Sequence, residues 1–454
     1  MSDRSRALRA AALSWRASRF TVATALPGGD LALYNSLTGG LARIDATSEA
    51  FVVTAAALHA GFDGMPQGAL AALALEGFFV PEGRDERDEV DALCAAERAA
   101  AQDRLELILM PTEQCNFRCV YCAQTFEKGR MKRDVIDGVV ALIAARAPHL
   151  RYLKIGWFGG EPLTAPEVIA EIGRAARRIC AEHGVIYSSG MATNGSLLTP
   201  DVFAMLIENE VRRFQITLDG TPDHHDRLRL MGDRKRGTFA TILNNLRAMK
   251  ATDEWFGVTL RVNFDAESAQ AMTPFLDFLE TEFAGDARFH IDFHPVGRWG
   301  GPQDDALAVC DAQDSAQRSI ELAGAAIGRG LGDAALRGRL SVGGSKCYAG
   351  RPYSFVVGSD GALYKCTVAF DEPLNQIGAL TPSGELVIDA DKHARWIGRG
   401  AEEDAGCRAC SFAPACQGDA CPLARIRSGE RACPSVKSQI GAAVAALAPA
   451  RGRS

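Results

Sequence analysis

The sequence has no run of about 18 apolar residues, so no membrane-spanning helix is expected. It has no basic excess either. Fifty Lys and Arg face 56 Asp and Glu, for a formal net charge of −6. Phosphate-binding surfaces usually show the opposite balance, so no nucleic-acid partner is expected. No repeat of roughly 20–50 residues recurs, which argues against a solenoid. The N-terminus MSDRSRALRAAALSWRASRF lacks an uninterrupted apolar stretch because Arg9 breaks it, so it does not read as a secretory signal. It is Arg-rich and loosely like an organelle transit peptide, but it also reads as an ordinary surface helix. The chain is expected to be cytoplasmic.

Cysteine is present in an unusual amount. Thirteen Cys in 454 residues are too few for a small disulfide scaffold, and an odd total cannot pair completely. Either several thiols are idle, or the cysteines bind metal in a reducing compartment. At roughly 150 residues per domain, the length suggests about three domains.

Residues 1–98 read as a small α+β domain. RFTVATAL and LALYNSLTGGLARI look like strands, with Pro27-Gly28-Gly29-Asp30 as a turn between them. A helix begins near Ala46-Thr47-Ser48, another runs from Gln67 to Leu75, and an FFV run ends at Pro81. Glu82–Gln102 reads as a linking helix. From Arg104 strands and helices alternate, with strands expected at 105–110, 152–158, 185–193, 213–219, 256–264 and 288–296. Repeated βα units imply a parallel sheet, open or curved into a barrel, and six units make a partial (β/α)6 TIM-like barrel over 99–300. After Trp299-Gly300-Gly301 a helical bridge covers 301–345, and 346–454 is Cys-rich, Gly-rich and irregular, a segment that would need a metal staple.

The strand phases bear on function. Phe289, Ile291 and Phe293 share one face, while His290, Asp292 and His294 share the other. The same alternation sets Thr259, Arg261 and Asn263, and Gln215, Thr217 and Asp219, against apolar faces that helices must cover. A closed barrel normally fills its lumen with branched apolar residues. A polar lumen suggests a ligand chamber or a solvated lower rim; on the first reading, His290, Asp292 and His294 face the substrate.

Directly after the first strand comes Cys115-Asn116-Phe117-Arg118-Cys119-Val120-Tyr121-Cys122. Three thiolates on one loop can hold three irons of a cubane and leave one iron open. Structural zinc would need a fourth ligand, and none follows nearby. This spacing, with an aromatic before the last Cys, resembles the radical S-adenosylmethionine (SAM) superfamily. The second strand ends in Gly159-Gly160-Glu161-Pro162, similar to the family's motif for the SAM amino group. The third ends in Thr193-Asn194-Gly195. The fourth runs through Thr217 and Asp219 toward His225-Asp226 and Arg229. The resemblance implies a [4Fe–4S] cluster on Cys115, Cys119 and Cys122. It also implies SAM contacts from Gly159, Gly160, Glu161, Asn194, Thr217, Asp219 and Arg229, with Arg229 holding the methionine carboxylate. Arg261 and Asn263 are further candidates for ribose or carboxylate contacts. His225-Asp226 matches a structural pair in related loops.

Seven later cysteines follow another pattern: Cys347 and Cys366, then Cys407-x2-Cys410-x5-Cys416-x4-Cys421, and Cys433. It resembles the SPASM extension of radical SAM enzymes, although the Cys416–Cys421 gap is one residue longer than usual. The resemblance implies two auxiliary iron–sulfur clusters, an outer one on Cys407, Cys410, Cys416 and Cys433, and an inner one on Cys347, Cys366 and Cys421. Some relatives add an inner ligand at the position of Ser341. The inner cluster then has an open iron, is a [2Fe–2S] cluster, or recruits another ligand such as Cys310. Zinc knuckles are the alternative for this region. Cys94 and Cys180 read as small buried hydrophobes.

In the family, reductive cleavage of SAM yields a 5′-deoxyadenosyl radical that takes a hydrogen atom from an unactivated carbon. SPASM enzymes mostly act on peptides or proteins. The order of elements in 1–98 also resembles the winged-helix-like domains that grip leader peptides. These resemblances imply maturation of a ribosomally made precursor peptide through a thioether or carbon–carbon crosslink, with an electron donor such as flavodoxin or ferredoxin. The alternative is an anaerobic sulfatase-maturase-like enzyme that oxidises a protein Cys or Ser to formylglycine.

Overall fold

The structure is a computed structural model that describes residues 14–233, 236–268, 272–298, 301, 304–397 and 404–448. The first thirteen residues, with Arg9 and most of the Arg-rich stretch, lie outside the described residues, as do Trp299 and Gly300.

Strands β1 (Ser14–Ala17), β2 (Thr21–Ala25), β3 (Leu31–Asn35) and β4 (Leu41–Ile44) come first. β2, β3 and β4 form one antiparallel sheet. Helix α1 (Glu49–Ala60) starts where the Ser48 hydroxyl accepts from the Phe51 amide at 3.2 Å, a side-chain N-cap. β5 (Phe62–Asp63), α2 (Gly68–Leu75) and β6 (Phe79–Pro81) follow, and β1 pairs antiparallel with both β5 and β6. β1 escaped the sequence reading because its four residues SWRA are too short to show alternation. Helix α3 (Glu86–Ala99) is capped by Asp85 and leads into the large sheet.

That sheet takes β7 (Arg104–Leu109), β8 (Tyr152–Trp157), β9 (Ile186–Thr193), β10 (Val211–Thr217), β11 (Gly257–Phe264) and β12 (Phe289–Pro295), paired in parallel in chain order. The intervening helices are α4 (Arg133–Arg146), α5 (Pro166–His183), α6 (Pro200–Glu208), α7 (Pro222–Leu228), α8 (Phe239–Lys250) and α9 (Met272–Phe283). Alternate strand residues such as Leu105, Leu107, Ile155, Trp157, Leu260 and Phe289 enter one core with helix residues spaced three and four apart, among them Val168, Ile172, Ala176 and Ile179 of α5. Cys180 is buried there as a small apolar side chain. Helix α5 stops at Gly184, whose left-handed φ of 68° is the usual C-terminal cap.

Helices α10 (Ala312–Gly328) and α11 (Ala334–Leu340) bridge to the last part of the chain. The expectation of an irregular, metal-stapled segment fails over its first part. β13 (Ser354–Val357) pairs parallel with β7, and β14 (Ala362–Tyr364), β15 (Gln376–Leu380) and β16 (Leu386–Ile388) continue antiparallel, giving ten strands in all. These strands are three to five residues long and broken by Gly-rich turns, so their alternation is hard to read. Phe355, Val357, Leu363, Ile377 and Leu380 join the main core, which gives this segment apolar burial without a metal. A second core brings the chain's two ends together, with Leu26, Ala32 and Tyr34 packed among Ile320, Leu336, Phe412 and Val444. Among the described residues no helix is long and apolar enough to cross a membrane.

Candidate active site

The cysteine loop leaves the C-terminal end of β7 and is held on two sides. Its backbone pairs with the end of α7 and the residues just after it, through Arg118 N to Leu230 O and Val120 N to Leu228 O, both 3.0 Å. Asn194, just past β9, donates to Asn116 Oδ1 at 2.8 Å, and Asn116 donates to the Ser196 hydroxyl at 2.9 Å. Arg118 returns to the Cys115 carbonyl at 2.6 Å. Asn194 therefore positions the loop.

Gly159 and Gly160 have a local steric reason. A Cβ on Gly159 would lie 2.2 Å from the Thr112 carbonyl oxygen, and one on Gly160 2.3 Å from that of Gln114. Gly159 also has φ of 123°, where side chains are disfavoured. The glycines let the end of β8 press against the entry to the cysteine loop. Glu161 is fully buried and accepts from Thr193 Oγ1 and the Asn194 amide at 2.7 Å, and from the Leu163 amide at 3.0 Å. The expected ammonium acceptor is thus mainly engaged in tying β8 to β9. A carboxylate offers about four acceptor sites, so roughly one remains for a ligand.

A second knot joins the ends of β10 and β11. The Tyr121 hydroxyl donates to Asp219 Oδ2 and accepts from Arg229 Nη1 at 2.7 Å and from Asn263 Nδ2 at 3.2 Å. Asp219 Oδ1 accepts from the Asn263 amide at 2.7 Å, and Arg261 Nε donates to Asn263 Oδ1 at 2.9 Å. Thr217, the last residue of β10, stands beside Arg261 in register. Asp219, Arg229, Arg261 and Asn263, separated in sequence, meet here through Tyr121. The hub itself was missed. Its signal was present, because a tyrosine rather than a plain aromatic precedes the third Cys. Burial pushes the Tyr121 hydroxyl well above its ordinary range, which keeps it a donor. Both ring nitrogens of His225 are taken up by the protein. Its Nδ1 accepts from the Asp219 amide and its Nε2 meets Thr238 Oγ1, both at 3.0 Å, while Asp226 caps α8 at the Thr238 and Phe239 amides.

The donor set fits a cluster and an anionic ligand. Arg229 Nε is buried without a partner, although Asp219 lies 4.0 Å away, so the guanidinium keeps one donor for a carboxylate. Burial pushes the Cys115 thiol up to about 12, and Cys119 and Cys122 add to this; burial likewise takes Cys119 to about 11. Such thiols ionise when metal binds them. Among the described residues no three Cys, His, Asp or Glu converge on one ion position.

The three lumen residues of β12 sit at different heights. His294 is level with Asn263, Asp292 with Arg261, and His290 with Thr259. At roughly 3.3 Å per residue, His290 lies about 13 Å below His294. The structure thus places Asp292 and His294 near the Tyr121 knot and leaves His290 near the opposite end, against Gly332. Asp292 is held by Arg339. Burial, then Arg261, lowers His294 to about 4, so its imidazole is neutral at pH 7.

The later cysteines gather as two groups. Cys407, Cys410, Cys416 and Cys433 line one cavity of about 600 Å³, together with Lys437, which donates to Cys433 Sγ at 3.3 Å. Burial, then the neighbouring Cys366 and Cys421, raises the Cys347 thiol to about 11. Cys421 thus lies within electrostatic reach of Cys347 and Cys366 despite the longer gap. The two suggested fourth inner ligands have other surroundings. Ser341 is exposed and donates to Gly338 O at 2.7 Å, and Cys310 lies among Asp265, Asp311, Asp314 and Arg318.

Residues 109–277 match the model of the Radical SAM superfamily. The chain is 27% identical over 209 residues to an AdoMet-dependent heme synthase of Methanosarcina barkeri, covering 44% of this chain and 53% of that protein. It is 26% identical over 170 residues to a cysteine-type anaerobic sulfatase-maturating enzyme of Clostridium novyi, covering 35% of this chain and 44% of that protein. The chain thus spans about half the length of the curated relatives it matches. A structure of native anSMEcpe with bound AdoMet and Cp18Cys peptide superposes with TM-score 0.53 at 17% identity, covering 70% of this chain and 90% of that one, which shows a shared fold. With the cysteine loop and the strand-end knot falling inside the matched region, residues 109–277 are a radical SAM domain, carried in a chain that extends beyond it on both sides.

Proposed function

We propose that this chain is a radical SAM maturase that crosslinks a ribosomally made precursor peptide through a thioether or carbon–carbon bond. The carrying observation is the junction of the cysteine loop with Asp219, Arg229, Arg261 and Asn263 through Tyr121 at the strand ends. When bound, the [4Fe–4S] cluster and SAM supply a hydrogen-abstracting 5′-deoxyadenosyl radical. Cys115, Cys119 and Cys122 hold the cluster, Arg229 holds the methionine carboxylate, and Glu161 has room for one ammonium hydrogen bond. Asp292 and His294 face the substrate; neutral His294 can accept a proton. The two later cysteine groups hold auxiliary clusters, and 346–454 acts as a SPASM domain. The sheet of β2, β3 and β4, within the 1–98 winged-helix-like unit, offers edge strands to a leader peptide. The electron donor is a flavodoxin or ferredoxin.

The test is anaerobic incubation of iron-loaded protein with SAM, reductant and peptide. The proposal expects 5′-deoxyadenosine and a peptide lighter by two hydrogens. Absence of deoxyadenosine from fully loaded protein would sink it. The sulfatase-maturating relative favours a second reading, in which a protein Cys or Ser becomes formylglycine; an aldehyde in the product would select it.

A further inference from the structure

The end of the barrel opposite the cysteine loop opens into a cavity of about 500 Å³. Its walls are the N-terminal ends of β7, β8 and β9, the end of α3, and the segments around Lys346–Ser354 and Gln417–Asp419. The lumen faces of the strands contribute Glu106, Lys154 and Ser188, so the cavity is the lower mouth of the barrel.

Three observations give this mouth a ligand chemistry. The first is charge. Five cations, Arg98, Arg104, Lys154, Lys346 and Arg351, line it against three carboxylates, Glu97, Glu106 and Asp419, in a chain whose net charge is −6. Glu106 is shared by Lys154 at 2.6 Å and Arg351 at 2.9 Å, so two cations meet one acid. Both keep about half of their side-chain surface exposed, at 57% and 48%. The second is a pair of unanswered polar groups in the wall. Gln417 and Ser354 are 2% and 1% exposed, and Gln417 Nε2 and Ser354 Oγ have no hydrogen-bond partner. An amide donor and a hydroxyl in one wall suit a peptide group, and leaving both unmade is costly. The third is a pair of glycines above it. Gly156 of β8 pairs with Gly190 of β9 on the lumen face. A Cβ on Gly156 would meet only Ile108, at an ordinary 3.6 Å, whereas one on Gly190 would meet Arg213 at 3.0 Å, so the room lies on the Gly156 side.

We infer that the lower mouth admits the substrate peptide and selects a segment bearing carboxylates, an Asp- or Glu-containing stretch next to the modified residue. The inference rests on the proposed peptide-modifying activity and specifies its substrate class. Lys154, Arg351 and Arg104 take the carboxylates, Gln417 and Ser354 take the peptide backbone, and the glycine gap lets one side chain reach toward Asp292 and His294.

The test uses the full chain and three fluorescein-labelled 12-residue peptides that alternate Gly with Glu, Gln or Lys, read by fluorescence anisotropy. The Glu peptide is expected to bind about 10-fold tighter than the Gln peptide, and the preference to shrink as salt rises. Lys154→Glu is expected to remove that preference, and Gln417→Leu to weaken the Glu and Gln peptides alike. Gly156→Val is expected to leave anisotropy unchanged while cutting peptide modification. Equal binding of Glu and Gln peptides, or a preference that survives Lys154→Glu, would overturn the inference, the latter placing the peptide elsewhere on the chain. Deoxyadenosine formation by the same loaded preparations without peptide tests the underlying activity separately; if it persists while the preference is absent, only the lower-mouth inference falls.

Discussion

Replacing Tyr121 by Phe isolates the strand-end knot from the iron ligands on either side of it. The substitution keeps the ring and removes one oxygen. That oxygen donates to Asp219 and accepts from Arg229 at 2.7 Å and from Asn263 at 3.2 Å. Buried hydrogen bonds to charged groups contribute about 1.5–3 kcal/mol each, and neutral ones about 1 kcal/mol. The gross loss is therefore roughly 4–7 kcal/mol on the same scale. Much of it returns, because Asp219 and Arg229 already lie 4.0 Å apart and can close into a direct ion pair. The net cost is about 2–3 kcal/mol, seen as a lower urea midpoint of the iron-free protein. The closure also turns Arg229 away from the methionine carboxylate. SAM binding is expected to weaken about 10-fold by calorimetry, equivalent to about 1.4 kcal/mol. Iron content should match the parent protein, because no thiol is touched. A Tyr121→Phe protein with unchanged midpoint and unchanged SAM affinity would refute the hub.

Glu161→Gln keeps an acceptor for Leu163 and Thr193 but sets an amide donor against the buried Asn194 amide, so about 2 kcal/mol of stability should be lost even without SAM, measured by urea unfolding. Cys416→Ala and Cys347→Ala should each lower bound iron after anaerobic reconstitution, in separate additive steps, whereas Cys310→Ala should leave iron content unchanged. His294 has a folded pKa of about 4, below the unfolded value of about 6.5. Its stabilising contribution is thus complete above pH 6.5 and is lost as pH falls toward 4, and His294→Gln should flatten stability across that window. Burial raises the Glu106 carboxyl, but Lys154 and Arg351 outweigh it and hold the group below its ordinary range. Glu106→Gln should therefore remove stability that is present above about pH 4.3 and disappears as pH falls below it.

The barrel strands were legible because each is six to eight residues long, with one face committed to a helix layer. Expected and observed ends differ by no more than two residues, as at β10, expected at 213–219 and found at 211–217. β13–β16 were illegible for the opposite reason. They are only three to five residues long, and β13, which anchors the other three, is fixed by pairing with β7, about 250 residues away in the chain. The site divides along the same line. The resemblance grouped the later cysteines, and Cys347, Cys366 and Cys421, far apart in the chain, lie close enough to raise one another's thiol pKa values. Height along a strand could not be read from phase alone. His290, Asp292 and His294 share a face, yet only register with β11 shows that His290 belongs to the other end of the barrel.

The distribution of buried charge separates the two ends by purpose. Replacing buried ion pairs with apolar residues of similar volume is often neutral or stabilising, so such pairs are weak evidence for a stabilising role. Asp219, Arg229 and Glu161 are each at most 5% exposed at the upper end, where branched apolar residues would fill a lumen more cheaply. Their partners are also unevenly matched: Glu161 keeps an acceptor site and Arg229 keeps a free Nε donor. An ammonium and a carboxylate on one small molecule would answer both groups at once. At the lower mouth Lys154 and Arg351 are half-exposed and cations outnumber acids, the condition for long-range selection of a flexible, oppositely charged chain. A sequence in which these two ends were merely solvated rims would show neither the fully buried acceptor at one end nor the unpartnered amide in the wall of the other.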